Sequence, residues 1–234
     1  QIPKVSKLFG PGNQFVTVAK QLATKFGVAI DMPAGPSELL IMADHTANPA
    51  FLASDLLSQA EHGTDSQVIL VSTDENTLLE TSEQIRIQTQ VLDRQFIIEK
   101  ALENKKLILV KSNEEAAELI NYYSPEHYSI CTANNSFFVN NITNAGSVFI
   151  GPYTPESAGD YASGTNHTLP TNGYAKAYSG VNLDSFLKHI SFQEITKQGL
   201  NTIGNTIELM AEAEGLMAHK NAVTIRLKSI DDES

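Results

Sequence analysis

Short apolar runs rich in β-branched residues alternate with longer segments of helical pattern between residues 28 and 150. This alternation is typical of a parallel sheet whose strands are connected by crossover helices. Most of the runs are continuously apolar, as expected for strands that are buried on both faces of a sheet. We therefore predict an α/β fold. The predicted strands cover residues 28–32, 38–43, 67–72, 106–110, 128–132 and 147–150.

The helical segments between these strands have recognisable ends. Asn48 followed by Pro49 is a side-chain cap with a proline in the first turn, and Gly63 ends that pattern. Ser112 and Glu115 have the spacing of a capping box ahead of another helical segment. Further helical patterns cover residues 13–25 and residues 73 to about 104.

Residues 151–180 are rich in Gly, Ser, Thr, Pro and Tyr and have little periodicity. An irregular segment of this length inside a compact domain is usually functional. Within it, glycines surround Asp160 and His167, as is needed where backbone approaches a ligand closely. Asp and Gly are also ordinary loop formers, so the composition fits either a ligand-binding loop or a plain one.

The C-terminal tail is predicted to be a separate helical unit. Helical patterns cover residues 183–188 and 192–218, and we expect Gly199 and Gly204 to break the longer pattern into two helices. Residues 222–227 alternate like an edge strand.

Charge and composition exclude several classes of protein. The 234 residues include 16 Lys and Arg against 27 Asp and Glu, for a formal net charge of -11, and no basic run occurs. Nucleic-acid binding is therefore not expected. No apolar stretch approaches the ~20 residues that cross a bilayer, and no signal-type leader opens the chain, so we expect a soluble protein with no membrane partner. Because Cys131 is the single cysteine, a metal site would need His, carboxylate or amide ligands.

Asp55, Gln59 and His62 have the spacing i, i+4, i+7 and would share one face of the predicted helix that ends at Gly63. That face carries three potential ligands or hydrogen-bonding groups. The alternative is a polar surface stripe, and glutamine is an uncommon zinc ligand. The helical zinc-protease motif HExxH is absent.

Glu126 and His127 follow Ser124-Pro125 and immediately precede a predicted strand. A carboxylate beside an imidazole offers two proton-transfer groups whose pKa values burial could move toward neutrality. The alternative is a turn with two solvated side chains.

The other candidate features have ordinary explanations. His45 lies in a polar turn, and His189 and His219 lie at helix ends, where a cation is favourable. Gly10-Pro11-Gly12 could offer backbone N–H groups to an anion, but the pattern G-x-G-x-x-G is incomplete.

Taken together, six segments resemble L-histidinol dehydrogenase and follow the order of that family over essentially the whole chain. They are FGPGNQFVTVAK (9–20), IDMPAGPSELL (30–40), ASDLLSQAEHGTDSQVIL (53–70), SPEH (124–127), AGSVFIGPYTPESAGDYASGTNHTLPTNGYA (145–175) and AHKNAV (218–223).

The resemblance implies a zinc-containing, NAD-dependent enzyme of histidine biosynthesis, which oxidises L-histidinol through L-histidinal to L-histidine in the cytoplasm, or in a plastid if the source is a plant. The implied zinc ligands are Gln59, His62, Asp160 and His219. In the family the last of these comes from the partner subunit of a homodimer, so that a monomer would have an incomplete site. Zinc is implied mainly to hold the nitrogen atoms of the substrate.

The same resemblance implies the roles of further residues. His127 takes the alcohol proton in each oxidation, and Glu126 activates the water that adds to the aldehyde. Asn13 corresponds to a position that contacts NAD. The implied substrate contacts are Ser37, Gln59, His62, His127, Asp160, His167, Glu214 and His219, the last two donated by the partner.

Members of this family are nearly twice as long as this chain, and the missing part corresponds to their amino-terminal half. By this comparison, residues 1–38 end the cofactor-side Rossmann-like lobe and residues 39–181 complete a second Rossmann-like lobe, which carries the zinc and catalytic residues. Residues 182–234 are a helical tail swapped in the dimer. We expect weak or no activity from the chain alone. Two other classes of function remain open: a metal-dependent hydrolase with Glu126 as base, and a non-catalytic zinc-binding or dimerisation module.

Overall fold

The amino-terminal part of the chain forms a small sheet of its own. Strands β1 (Lys7–Leu8) and β2 (Ala29–Ile30) pair in parallel and are joined by helix α1 (Gln14–Thr24). The strand predicted over residues 28–32 is therefore observed as two residues, outside the main sheet. The computed structural model describes residues 3–10, 14–33 and 35–232.

The five remaining predicted strands form one fully parallel sheet, which confirms the α/β class. Its strand order is β5-β4-β3-β6-β7. The chain therefore adds strands on one side of β3 and then returns to its other side, which makes the pair β3–β6 the switch point of the sheet. The five strands are β3 (Glu38–Ala43), β4 (Gln67–Ser72), β5 (Lys106–Leu109), β6 (His127–Cys131) and β7 (Ser147–Ile150).

Successive residues of β3 point to opposite sides of the sheet, so both of its faces are apolar. Helices cover both faces. Leu39 and Ile41 pack in one apolar cluster, and Leu40 and Met42 pack in the other. All six residues of β3 are buried, as the continuously apolar run predicted. The helices of this unit are α2 (Pro49–Ala60), α3 (Glu75–Thr89), α4 (Gln95–Leu102), α5 (Asn113–Tyr123), α6 (Asn135–Asn141) and α7 (Glu156–Tyr161).

The predicted helix starts are confirmed by their hydrogen bonds. The Asn48 side chain accepts from the backbone of Ala50, and the Ser112 hydroxyl accepts from the backbone N–H of Glu115. The irregular region over residues 151–180 contains α7 and a 3-10 turn, Tyr174–Lys176. None of the described helices is both long and apolar enough to cross a lipid bilayer.

The chain divides into two compact units, Gln1–Leu187 and Lys188–Ser234. In the second unit, two predictions were wrong. Helix α8 (Lys197–Ala213) continues through Gly199 and Gly204, and the break comes at Gly215, whose φ is 72°. A Cβ on Gly204 would lie 2.9 Å from Leu227 Cδ1, so this glycine serves close helix packing and does not end the helix.

The edge strand predicted over residues 222–227 was wrong, because these residues lie in helix α9 (Met217–Asp232). Val223 and Leu227 are spaced i, i+4 and are half-buried, and α9 packs against α8. A short apolar–polar alternation is compatible with both periods, and packing against α8 selected the helix. The helix predicted over residues 183–188 is a single 3-10 turn, Leu183–Phe186.

Candidate functional site

A cleft of about 180 Å³ opens at the amino ends of β3 and β6. In open parallel sheets, ligands usually bind outside the carboxyl ends of the strands at the switch point. Here the cleft shares the switch point but lies at the opposite edge of the sheet. Its wall contains no lysine or arginine among the described residues. The lining residues are Gly35, Ser37, His62, Glu126, His127, Asp160, His167, Thr168, Leu169 and Thr171.

Glu126 and His127 are buried side by side in this cleft, and the alternative of two solvated side chains is wrong. Parallel pairing of β3 with β6 places the backbone of Glu38 against both of them. The backbone N–H of Glu38 donates to Glu126 Oε2 at 2.9 Å, and the carbonyl oxygen of Glu38 lies 3.1 Å from His127 Nδ1. One residue of β3 therefore holds both side chains of the pair.

This contact assigns the tautomer of His127. A carbonyl oxygen can only accept, so Nδ1 carries the hydrogen and Nε2 carries the lone pair. His127 Nε2 is buried and has no hydrogen-bond partner in the described part of the chain. Burial lowers the pKa of His127, partly offset by the hydrogen bond to Glu38. The neutral ring is therefore a proton acceptor at Nε2.

Burial also shifts the neighbouring carboxyl groups. It raises the pKa of Glu126 to about 8, with the hydrogen bonds from Glu38 and Ser37 opposing this and the carboxyl of Glu38 adding to it. It raises the pKa of Glu38 to about 7. Each of these two carboxyl groups therefore gains or loses its proton near neutral pH. This suits a residue that must act as an acid and as a base in turn.

A second cluster lies beside this pair. His62, Glu156 and Asp160 each offer a ligand atom, and these atoms all lie within 4.8 Å of one another. His62 Nε2 and Asp160 Oδ2 are 3.9 Å apart. One imidazole and two carboxylates form a donor set that suits a divalent transition metal.

Gln59 lies in the last turn of α2, three residues before His62. Its side chain is fully buried, and neither its amide nitrogen nor its amide oxygen has a hydrogen-bond partner within the described ranges. An unpaired buried amide is costly, so it indicates a missing partner such as an ion. The polar-stripe alternative is wrong for this residue. The predicted shared helix face is corrected, because α2 ends at Ala60 and His62 lies beyond it.

Sequence reasoning missed Glu156, which is 2% exposed and lies in the first turn of α7. Burial raises its pKa to about 9, and the carboxylates of Asp160, Glu126 and Asp55 add to the shift. Its spacing of four residues from Asp160 was a signal that could have revealed it, because such residues share one helix face. The spacing was not interpreted as helical because α7 has only six residues and lies in an irregular region.

The loop from residue 166 to 172 closes one side of the cleft and is tied to the start of β3. The backbone N–H of Asn172 donates to Glu38 Oε1 at 2.7 Å, and Gly35 N–H donates to the Thr171 hydroxyl. His167 lines the cleft with an exposed side chain. Ser37 also lines the cleft, next to Glu126.

Two glycines allow close packing around the site. A Cβ on Gly146 would lie 2.5 Å from the carbonyl oxygen of Glu126, so glycine permits the turn before β7 to approach β6. A Cβ on Gly159 would lie 2.8 Å from the ring of Phe149, which is 5.9 Å from the His127 ring. Sequence reasoning gave Gly146 no role and expected the glycines around Asp160 to let backbone approach a ligand, whereas Gly159 lets α7 approach Phe149.

The remaining predicted site residues are Asn13, Glu214 and His219. Asn13 lies outside the described residues. Glu214, the C-cap of α8, and His219, in the first turn of α9, belong to the second unit, and both side chains are exposed there. Their contribution to a partner's site stays a prediction.

Comparison with known proteins gives one consistent result. A sequence model of the histidinol dehydrogenase family matches residues 1–227. The histidinol dehydrogenase of Bacteroides fragilis strain YCH46 is 62% identical over 98% of this chain and 54% of its own length. The chloroplastic histidinol dehydrogenase of Arabidopsis thaliana is 53% identical over 98% of this chain and 50% of its own. The chain therefore spans about half the length of the curated relatives it matches.

Solved structures agree with the sequence matches. The crystal structure of histidinol dehydrogenase from Elizabethkingia anophelis has a TM-score of 0.96 and 59% identity, covering 98% of this chain and 53% of that one. A gamma-glutamyl phosphate reductase from Thermotoga maritima has a TM-score of 0.51 at 16% identity, which is a likeness of fold alone.

Proposed function

The chain belongs to the histidinol dehydrogenase family, and we propose that it carries the metal-binding and proton-transfer half of an enzyme that oxidises L-histidinol through L-histidinal to L-histidine. The observation that carries this proposal is the shared cleft, where a neutral His127 with an unpartnered Nε2 and a buried Glu126 lie beside a cluster of potential metal ligands. NAD is the proposed acceptor of the hydride, in keeping with the family.

A divalent ion, proposed to be zinc, fits the residues present. Gln59, His62 and Asp160 would hold it, with His219 from the partner subunit of a proposed homodimer. When bound, zinc supplies a positive charge that positions the nitrogen atoms of the substrate. The support from this chain is the buried, unpaired amide of Gln59 and the negative surroundings of the cleft.

His127 is the proposed base for both oxidations. Its Nδ1–H is held by the carbonyl of Glu38, so its Nε2 is left to take the proton of the alcohol and later that of the hydrated aldehyde. Because burial lowers its pKa, the ring stays neutral and ready to accept at neutral pH.

Glu126 is the proposed base for the water that adds to the aldehyde between the two oxidations. Its carboxyl must be ionised to take a proton from water, and burial raises its pKa to about 8. The backbone N–H of Glu38 at 2.9 Å stabilises the ionised form and fixes the direction of the carboxylate.

The proposed substrate and cofactor contacts of Ser37, His167, Glu214 and Asn13 stand at the level of the family. Ser37 and His167 have support from their position in the wall of the cleft. A cytoplasmic or plastid location is proposed with the pathway, since one relative is named as chloroplastic.

The test compares the two half-reactions. The chain is assayed for NADH formation from L-histidinol and from L-histidinal, alone and with the amino-terminal half of the Bacteroides fragilis relative. We expect slow turnover alone and restored turnover in the complemented protein. His127→Ala should slow both oxidations about 100-fold or more, and Glu126→Gln should mainly slow the conversion of aldehyde to acid.

Glu118→Gln, exposed on α5, is the matched control and should change neither half-reaction. Equal losses in both half-reactions for Glu126→Gln would reject the division of roles. Absence of NADH formation in the complemented protein, with hydrolysis of an ester or amide instead, would favour the metal-dependent hydrolase.

A further inference from the structure

We propose that Glu156 is a fourth donor from a single chain to the divalent ion held by Gln59, His62 and Asp160, so that one protomer can bind the ion without His219 of a partner subunit. This inference rests on the proposed metal site and adds a ligand to it. It also changes the expectation that a monomer has an incomplete site.

Glu156 lies close to two of the proposed metal ligands. Ligand atoms of Glu156, His62 and Asp160 all lie within 4.8 Å of one another. At metal–ligand distances of ~2.1 Å, two ligand atoms of a tetrahedral site lie ~3.4 Å apart. Side-chain rotations are therefore enough to bring all three atoms to one ion.

One carboxyl oxygen of Glu156 is buried and unsatisfied within the described residues. Its side chain is 2% exposed, and Oε2 has no hydrogen-bond partner in the portion of the chain that the structure describes. A purely structural carboxyl at such a position is normally paired or hydrogen-bonded. Gln59, also buried, lacks partners for both amide atoms, so two independent side chains lack the same kind of partner.

Acidic side chains surround Glu156. The ionisable groups that influence Glu156 are the carboxyls of Asp160, Glu126 and Asp55, all of the same sign. The cleft wall offers no lysine or arginine among the described residues. A bound cation would supply the positive charge that this cluster of acids lacks.

Helix α7, which carries Glu156, packs closely against its neighbours. Glu156 and Asp160 are spaced i, i+4 on this helix, and Gly159 between them lets the helix approach the ring of Phe149. Helix α7 also packs against α2, which carries Gln59. The two helices that carry Gln59 and Glu156 are thus packed together, which favours the preorganisation a metal site requires.

The consequence is a four-donor set of one amide, one imidazole and two carboxylates within one chain. Four donors complete the usual coordination of zinc. The set has more oxygen donors than one completed by a second imidazole, so in the absence of His219 it should tolerate harder ions such as Mn²⁺ better.

The experiment measures metal binding, not turnover. The full chain is stripped of metal with a chelator, and zinc affinity is measured by competition with a chromophoric chelator at one pH. Zinc per chain is counted by mass spectrometry. His219→Ala should keep one zinc per chain, and His219→Ala combined with Glu156→Gln should bind zinc at least tenfold more weakly.

Glu38→Gln is the matched control, because Glu38 is also 2% exposed with an unpartnered Oε2 but lies outside the metal-ligand cluster. It should bind zinc as the parent does. Melting temperatures are recorded with and without zinc. Glu156→Gln should not lower the metal-free melting temperature, because burial already disfavours the ionised carboxylate, and it should abolish most of the increase that zinc produces.

The other possible results of these measurements distinguish the failure of this proposal from the failure of the proposed metal site. Unchanged zinc affinity in the double variant overturns the proposal, while loss of zinc from His62→Ala shows that the proposed metal site itself stands. Unchanged affinity in both overturns the metal site of the proposed function. A lower metal-free melting temperature for Glu156→Gln, with the zinc-induced increase intact, assigns Glu156 a structural role and also overturns the proposal.

Discussion

Asp44, directly after β3, accepts hydrogen bonds from the backbone and hydroxyl of Thr46 and from the backbone N–H of Ala133. At the other end of the same strand, Glu38 has one buried oxygen without a partner in the described residues. Gln59, His127 and Glu156, all at that end, also have buried atoms for which the described part of the chain offers no hydrogen-bond partner. Asp44, at the carboxyl ends of the strands (the carboxyl edge), is hydrogen-bonded, whereas four side chains at their amino ends (the amino edge) keep unpartnered buried atoms within the described residues.

This difference is visible in the pKa values. Burial alone would raise the pKa of Asp44, but the hydrogen bonds from Thr46 and Ala133 lower it below its ordinary value. At the amino edge, burial prevails and the pKa values of Glu38, Glu126 and Glu156 rise to about 7, 8 and 9. An edge that retains unpaired buried groups sacrifices stability, which is typical of a functional site.

The largest expected effect is that of a methyl group at the amino edge. In Gly146→Ala, the new Cβ would lie 2.5 Å from the carbonyl oxygen of Glu126, and backbone atoms cannot rotate away. We expect a loss of about 3 kcal/mol or more in the free energy of unfolding, measured by urea denaturation. Gly63→Ala is the control, because its Cβ would meet only the exposed side chain of Asp65 and should cost far less.

The next effect is a dependence of stability on pH. The folded pKa of Glu38 is about 7 against an ordinary 4.5, so the folded chain binds the proton more tightly than the unfolded chain. Stability from this group is full below pH 4.5 and is lost as the pH rises through about 7. Glu38→Gln should therefore gain roughly 2 to 3 kcal/mol relative to the parent between these limits.

Urea titrations of the metal-free parent and variant across this pH range measure the difference. Because the carboxyls of Glu38 and Glu126 interact, the midpoint belongs to the pair. A parallel pH dependence in the parent and in Glu38→Gln would show that this carboxyl is not the group responsible.

Removing the satisfied group at the carboxyl edge should have a moderate cost. Asp44→Ala leaves the N–H of Ala133 and both donors of Thr46 without their acceptor. These donors are partly solvated, so we expect a loss of about 1–2 kcal/mol in unfolding free energy and no change in zinc affinity. A change in zinc affinity would contradict the separation of the two edges.

The smallest effect has the opposite sign. Gln59→Met removes two unpaired buried polar atoms and keeps the volume of the side chain. The metal-free chain should become more stable by about 1 kcal/mol, while zinc binding is weakened. Calorimetry with and without zinc checks both parts. A loss of stability in the metal-free chain would indicate that the amide of Gln59 is satisfied in solution.

The sequence alone was sufficient for the elements that local chemistry determines. The bounds of β3, β4 and β7 agree with the predicted residues, because continuous apolar runs and adjacent caps act over a few positions. The motif Glu126-His127 was also recognisable, because its two groups are adjacent in the chain. Short-range patterns failed where packing decided, as at Gly204 and in the segment that became α9.

Only the tertiary structure decided how the site is assembled. The clamp of Glu38 on Glu126 and His127 follows from the register between β3 and β6, which lie about ninety residues apart in the chain. The place of Glu156 depends on how α7 packs against α2 and Phe149. Periodicity and capping report the free energy of neighbouring residues, whereas the burial and pairing of a distant carboxyl depend on which strands meet, and no local pattern encodes that.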